Sequence, residues 1–313
     1  MRYLVTGANG FLAKHIINHI SEYDKEANIV KMTRRDSNGF LIDLTDWRTI
    51  KINFDFKQKQ FDYIIHTAND TKAGDYCLSN KWNQWFSNQS IHINILRLWK
   101  EFSPNAKMIT FGTSCGYDPT LEKTEDNYLL GQPDKDLEVY GMTKRMLLHG
   151  LQSLHSDYGM NYTYFIPNTL YGPGFDVLKD THFIFDLIRK IYNADKYKIQ
   201  VILWGNGEQK RELFYAPDAA RIIFNNLETP KKVVNLGTGV EFSIKRWAQI
   251  ICDIIGYDEN KITYDTSKFT GVKSKVLPMS NLYTEKDLTP ITIGLRRTIE
   301  YYINEVAQLS ARL

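Results

Sequence analysis

The first fifteen residues set the strongest constraint on the fold. They read Met-Arg-Tyr-Leu-Val-Thr-Gly-Ala-Asn-Gly-Phe-Leu-Ala-Lys-His: a short apolar strand, a glycine turn, then a helical pattern from about Phe11. Glycines at 7 and 10 let the backbone turn tightly and come close to a bound pyrophosphate, and a helix starting there turns its N–H groups toward the same anion. Ala13 keeps the third position small, so helix and strand can still pack closely. Gly7, Asn9, Gly10, Phe11 and Leu12 are therefore candidate dinucleotide contacts, and the unit predicts a parallel α/β sheet.

The rest of the chain keeps that rhythm. Apolar runs at Ile29–Met32, Tyr63–His66, Lys107–Phe111 and Tyr162–Ile166 alternate with helix-length stretches such as Trp82–Phe102 and Tyr140–Tyr158, the pattern of a doubly wound, Rossmann-type sheet. After Pro167 the alternation loosens around Tyr171-Gly-Pro-Gly174 and Gly205-Asn-Gly207, which flank the apolar patch Val201–Trp204. Val233–Leu236 is a further strand, ended by Gly237-Thr-Gly239, and Ser243–Ile255 has the cap and period of an amphipathic helix. The expected division is a dinucleotide-binding domain over 1–170, joined again by 216–239, and a smaller C-terminal substrate-binding lobe from 171–215 and 240–313.

Composition narrows the function classes. With 313 residues, 43% apolar, 24% charged and a net charge of +3, the chain can bury a real core and shows no basic footprint for nucleic acid. No apolar run approaches the roughly 18 residues that span a bilayer, and Gly7 interrupts any leader-like core, so a cytoplasmic protein without membrane partners is expected. Three widely spaced cysteines, Cys77, Cys115 and Cys252, support neither a disulfide framework nor a metal site.

Chemistry enters at two places. Tyr140-Gly-Met-Thr-Lys144 sets a phenol and an ammonium four apart on one helical face. A nearby Lys⁺ favours the phenolate, whose reference pKa is about 10, and so suits it to exchange protons with a hydroxyl or carbonyl. Upstream, the strand ending at Phe111 runs straight into Thr113-Ser114-Cys115-Gly116-Tyr117, placing hydroxyls at the carboxyl edge of the sheet, where such folds bind ligands.

Thr-Gly-x-x-Gly-x-x-Ala, a hydroxyl residue after the fourth main strand and Tyr-x-x-x-Lys together resemble the NAD-dependent epimerase/dehydratase family, the extended short-chain dehydrogenases acting on nucleotide sugars. His66-Thr67-Ala68 resembles the family's His-x-Ala beside the cofactor, Asn94 its mid-helix Asn, and Pro167-Asn168-Thr-Leu-Tyr-Gly-Pro173 the stretch over nicotinamide. Trp204-Gly-Asn-Gly with Lys210-Arg211-Glu212 resembles the part that holds the sugar nucleotide. The resemblance implies a hydride-transfer site in which Thr113 orients the reacting hydroxyl, Tyr140 is acid and base, and Lys144 holds the ribose and tunes Tyr140. It implies a NAD or NADP site that also draws on Arg34, Asp43, Leu44, Thr67, Ala68 and Pro167. Ser114, Asn168, His182, Trp204 and Arg211 are the implied substrate contacts, Arg211 gripping the diphosphate.

Finer details divide the possibilities. Within the family, Thr113-Ser-Cys115 with His182 is most similar to the GDP-fucose synthase group, in which a Cys and a His at matching positions epimerise the sugar. Cys115 as a small buried residue and His182 as a packing histidine stand as alternatives. The acidic pair that dehydratases carry after the hydroxyl residue is replaced by Ser114 and Cys115, which disfavours loss of water. Arg34 and Arg35 stand where an acidic residue would bind a ribose 2′-hydroxyl, so they suit a 2′-phosphate, adenine stacking or an ordinary basic turn. The expected activity is hydride transfer at carbon 4 of a GDP-linked sugar, with a 4-dehydrogenase such as one for a GDP-heptose slightly preferred over a 4-epimerase or an epimerase-reductase. A scaffold that binds cofactor without turnover is the non-enzyme alternative. By family analogy a homodimer is expected.

Overall fold

The computed structural model describes residues 1–34, 40–53, 60–71, 74–178, 182–267 and 273–311. In chain order the elements are β1 (Arg2–Thr6), α1 (Phe11–Tyr23), β2 (Asn28–Thr33), β3 (Phe40–Leu41), α2 (Trp47–Asn53), β4 (Tyr63–His66), α3 (Gly74–Ser79), α4 (Lys81–Phe102), β5 (Lys107–Phe111), α5 (Glu138–Tyr158) and β6 (Tyr162–Pro167). They continue as β7 (Thr169–Tyr171), α6 (Phe183–Tyr197), β8 (Val201–Trp204), β9 (Lys210–Arg211), β10 (Leu213–Tyr215), α7 (Ala216–Asn225), β11 (Val233–Leu236), β12 (Phe242–Ser243), α8 (Ile244–Ile255), β13 (Ile262–Asp265) and α9 (Ile291–Ala311).

The chain divides into two compact units, Met1–Pro167 with Ala219–Leu236, and Asn168–Asp218 with Gly237–Leu313. The first is built on a parallel seven-stranded sheet of order β11-β6-β5-β4-β1-β2-β3. Its central strands are apolar on both faces: Leu4, Val5, Ile64, Ile65, Ile109 and Phe165 are all sealed from solvent, as helices on both sides of a parallel sheet require. The order reverses between β1 and β4, and ligands of open α/β sheets bind outside the strand ends at such a switch point. Thr6 and His66 end those two strands in register.

The second unit pairs its short strands two by two, β7 with β10, β8 with β13 and β9 with β12, around α6, α8 and α9. Ser243 caps α8, its hydroxyl accepting from Arg246 N at 3.1 Å, and Gly256 ends the helix in the left-handed conformation. The predicted strands and long helices recur within a residue or two of their expected ends. Short β3, α2 and α3 were not expected, nor were α6, α7, α9 and the short strands β7, β9, β10, β12 and β13.

Candidate active site

The first unit holds the dinucleotide motif. Gly7 has φ +66°, and a Cβ there would lie 2.8 Å from the Ala68 backbone and 2.9 Å from Thr67 Oγ1, so conformation and space both demand glycine. The turn closes with Gly10 N donating to Gly7 O at 2.7 Å. Gly10 precedes α1 without a side-chain cap, which leaves the helix N-terminus to an anion. Ala13 is fully buried beneath it.

Neighbouring candidates frame the same corner. Thr67 Oγ1 donates to Thr6 O at 2.7 Å, Ala68 N to Thr6 Oγ1 at 3.4 Å, and Asn9 Nδ2 to Thr33 Oγ1 at 3.0 Å. Exposed Arg34 follows directly on β2, while Arg35 lies outside the described residues. Asp43 Oδ1 accepts from Thr45 N and Oγ1, and buried Asn94 donates to Leu44 O at 2.8 Å, tying α4 to the loop beyond β3. Pro167 closes β6 opposite Leu236. The glycine cradle, its uncapped helix terminus and the adjoining Arg34 fit a dinucleotide.

Thr113, Ser114 and Cys115 share one turn. Thr113 Oγ1 accepts from Cys115 N at 3.3 Å; Thr113 and Ser114 are buried, and Cys115 is half-buried. Glycines 112 and 116 let Tyr164 and Tyr128 press against this turn, since a Cβ at Gly112 would stand 2.5 Å from the Tyr164 ring and one at Gly116 2.7 Å from the Tyr128 ring. From α5, Gly141 brings the bare helix backbone against Cys115 O, and Arg145 donates to Gly116 O at 2.7 Å and to the Leu130 and Gly131 carbonyls at 2.8 Å. The structure thus brings Thr113, Cys115 and Tyr140 together. Arg145 and Tyr128 hold them there, and neither stood out in the sequence, where they read as a charge and an aromatic among many.

The electrostatics differ from expectation. Tyr140 is held well above its ordinary pKa, chiefly by burial and next by Cys115, with a hydrogen bond to Thr71 acting the other way. Lys144 is itself buried and its pKa falls to about 7, because loss of solvent penalises the ammonium. Burial thus works against the charged form of both groups, whereas the spacing alone suggested a Lys⁺ that favours the phenolate. Two buried histidines feel the Lys144 charge. His66 falls to about 3, mainly through burial, and His92 is also lowered, with their rings edge-on at 5.8 Å. His66 Nδ1 lies 2.7 Å from Thr6 Oγ1.

Sequence reasoning passed over Asn88. Its buried amide exchanges two bonds with the Asp70 backbone, at 2.8 and 3.0 Å, fixing the segment that follows Ala68.

The second unit carries the remaining candidates. His182 is the exposed N-cap residue of α6 and makes no side-chain capping bond. Trp204 ends β8 half-exposed, before a turn in which Gly205 and Gly207 both take positive φ. Arg211 pairs with Phe242 across β9 and β12, and its carbonyl accepts from Trp247 Nε1 at 2.9 Å. Buried Asn168 donates to Glu212 and accepts from Thr169 N, so its amide serves the scaffold of the lobe. Among the described residues no His/Cys/Asp/Glu cluster could hold a metal ion, and no helix is long and apolar enough to cross a membrane.

The model of the NAD dependent epimerase/dehydratase family matches residues 3–237, from β1 through β11. The chain belongs to that family. Membership makes it an NAD(P)-dependent enzyme, in keeping with the glycine cradle on β1. It is similar to a GDP-L-colitose synthase of Yersinia pseudotuberculosis, 28% identical over 97% of this chain and 99% of that one. A GDP-L-fucose synthase of Escherichia coli is 26% identical over 96% of each chain. Among solved structures, a GDP-L-fucose synthetase from Naegleria fowleri bound to NADP superposes with a TM-score of 0.82 at 24% identity, over 98% of this chain and 95% of that one. At that identity the structural likeness establishes the fold alone.

Proposed function

We propose that this enzyme transfers hydride between a nicotinamide cofactor and carbon 4 of a GDP-linked sugar, working toward reduction of the 4-ketone. The observation that carries the reading is the close approach of α5, with Tyr140 and Lys144 on it, to the turn of Thr113 and Cys115 through the bare backbone of Gly141. A phenol at this place can give a proton to the oxygen of a ketone that gains hydride at carbon. Thr113 hydrogen-bonds and orients the same oxygen, Tyr140 Oη gives it a proton, and Lys144 holds the cofactor ribose. Gly7, Gly10 and the N-terminus of α1 hold the pyrophosphate, and Arg34 suits a 2′-phosphate. When bound, the cofactor supplies or accepts the hydride. Arg211 takes the diphosphate of the sugar nucleotide, and Trp204 and His182 belong to the same lobe.

A second reading adds epimerisation before reduction. Cys115, half-buried in the Thr113 turn, and His182 would exchange the proton on a carbon next to the ketone, and relatives named GDP-L-colitose and GDP-L-fucose synthase favour this addition. Both readings share one test. Purified enzyme mixed with NADPH or NADH and a panel of GDP- and UDP-linked 4-keto sugars should consume reduced cofactor only with GDP-linked members. Consumption with UDP-linked members alone would overturn the GDP assignment, and none with any 4-keto sugar would overturn the reduction.

A further inference from the structure

The carboxylate of Glu212 is fully buried and gathers five donors from three other segments of the second unit. Oε1 accepts from Thr238 N, from Thr238 Oγ1 at 2.8 Å and from Gly239 N at 2.9 Å. Oε2 accepts from Asn168 Nδ2 and from Leu277 N at 2.7 Å. The segment carrying Leu277 is further tied to this strand by Lys210 N donating to Lys273 O at 2.9 Å and Glu212 N to Lys275 O at 3.3 Å. Burying an ion costs several kcal/mol unless its lone pairs are filled, and here they are filled by groups drawn from the start of β7, the turn after β11 and the 273–277 segment.

Arg211 is the next residue. Glu212 is sealed while Arg211 is half-exposed, the alternation expected of neighbours on an extended chain. The Arg211 backbone is held on its other side by β12 and by the Trp247 indole. With its backbone pinned from both directions, the root of its side chain is fixed, and its guanidinium Nη1 donates to Lys210 O at 2.7 Å on the same strand.

We propose that Glu212 is a positioning residue for Arg211, its buried carboxylate fixing the strand and the turns around it so that the guanidinium is presented to the diphosphate of the nucleotide sugar. The inference rests on the reading of Arg211 as the diphosphate contact. It also explains why a carboxylate is needed. A Gln there would set an NH2 group against two or three N–H and O–H donors, since an amide accepts at one oxygen alone.

The test compares Glu212→Gln, Thr238→Val and Arg211→Ala with the parent enzyme. GDP affinity is measured by calorimetry, NADP affinity by fluorescence, folding by thermal melting, and kcat and KM with an active GDP-sugar. Glu212→Gln should weaken GDP binding and raise KM about tenfold or more, with kcat at saturation little changed and NADP affinity unchanged, because the loss falls on ground-state binding. Thr238→Val, which removes one donor, should shift GDP affinity the same way by about two- to fivefold, and it decides the matter if the Gln variant does not fold. A lower melting temperature with GDP affinity intact would make Glu212 purely structural and overturn the proposal. If Arg211→Ala weakens GDP binding and neither other variant does, the positioning role falls while the diphosphate reading stands. If Arg211→Ala leaves GDP binding intact, that reading falls and the inference with it.

Discussion

A Cβ built on Gly141 would lie 2.7 Å from the carbonyl oxygen of Cys115. Helix α5 therefore meets the turn after β5 through bare backbone, and Tyr140 stands beside that turn because its neighbour has no side chain. The ring of Pro133 closes the same gap from 3.0 Å. Ala is favoured over Gly inside a helix by about 1 kcal/mol, so propensity alone predicts that Gly141→Ala stabilises. The clash, against backbone rather than a flexible side chain, predicts the opposite. Gly141→Ala should lower the melting temperature and reduce turnover at least tenfold while cofactor affinity is kept; a more stable, fully active variant would show that the close approach is dispensable.

Tyr140→Phe removes only the hydroxyl. If the phenol is the proton donor, kcat should drop by about 10²–10⁴-fold with NADP binding nearly intact, the usual contribution of general acid catalysis. Turnover within a few-fold of the parent would take Tyr140 out of the chemistry.

Much of this was legible in the sequence. The glycine turn, the apolar runs and the long helices follow from periods that burial imposes on strands and helices, and they led to a doubly wound parallel sheet, of which the structure shows seven strands. Thr113, Cys115 and Tyr140 were legible as types at a spacing. What was hidden depends on packing in three dimensions. Lys144 reads as an ammonium one turn past a tyrosine, and only the packing around it shows that it is buried, with its pKa lowered to about 7. Glu212 reads as one more charge after Lys210-Arg211, and its five donors come from positions up to 65 residues away. Arg145 and Asn88 likewise bond to backbone carbonyls and amides, which no residue pattern reveals.

Lys144 gives the cofactor a pH dependence. Its pKa of about 7 means that acidification through neutrality restores the ammonium, which favours an anionic dinucleotide. NADP affinity of the free enzyme should therefore tighten as pH falls through about 7, and Lys144→Met should flatten the profile and weaken binding. The linkage to folding has a fixed sign. Between about 7 and the ordinary lysine range the unfolded chain holds a proton that the native state has lost, so this group's contribution to stability rises with pH across that window. A parent whose affinity is flat from pH 6 to 8 would contradict the assignment.

His66 and His92 act at lower pH. Both are buried as neutral imidazoles, with His66 depressed to about 3, so below the ordinary value of 6.5 the unfolded chain takes up protons that the native state refuses. Their stabilisation is complete above pH 6.5 and is lost as pH falls toward 3. From pH 6.5 to 5 His66 alone should cost about 2 kcal/mol. Urea unfolding at pH 7 and pH 5 should show this loss in the parent and a smaller one in His66→Phe; equal losses would mean that the ring is protonated in the native state.

The last prediction separates epimerase from simple reductase through Cys115 and His182. Inverting carbon 3 or carbon 5 requires removing the proton beside the ketone and returning one from the opposite face, so an epimerase must exchange that position with solvent. A carbon-4 reductase or dehydrogenase has no step that touches those protons. In deuterium oxide, with a GDP-linked 4-keto sugar and no reduced cofactor, the epimerase reading predicts enzyme-dependent deuterium at carbon 3 or 5, followed by mass spectrometry or NMR. Cys115→Ser should suppress the exchange at least tenfold, because an alcohol is a far weaker acid than a thiol and makes a poor proton carrier at neutral pH. His182→Asn removes the second carrier and should suppress it as well, while both variants retain hydride transfer, which depends on Tyr140. Exchange that survives both substitutions would assign the protons to other groups. An absence of exchange in the parent would restrict the enzyme to hydride transfer at carbon 4.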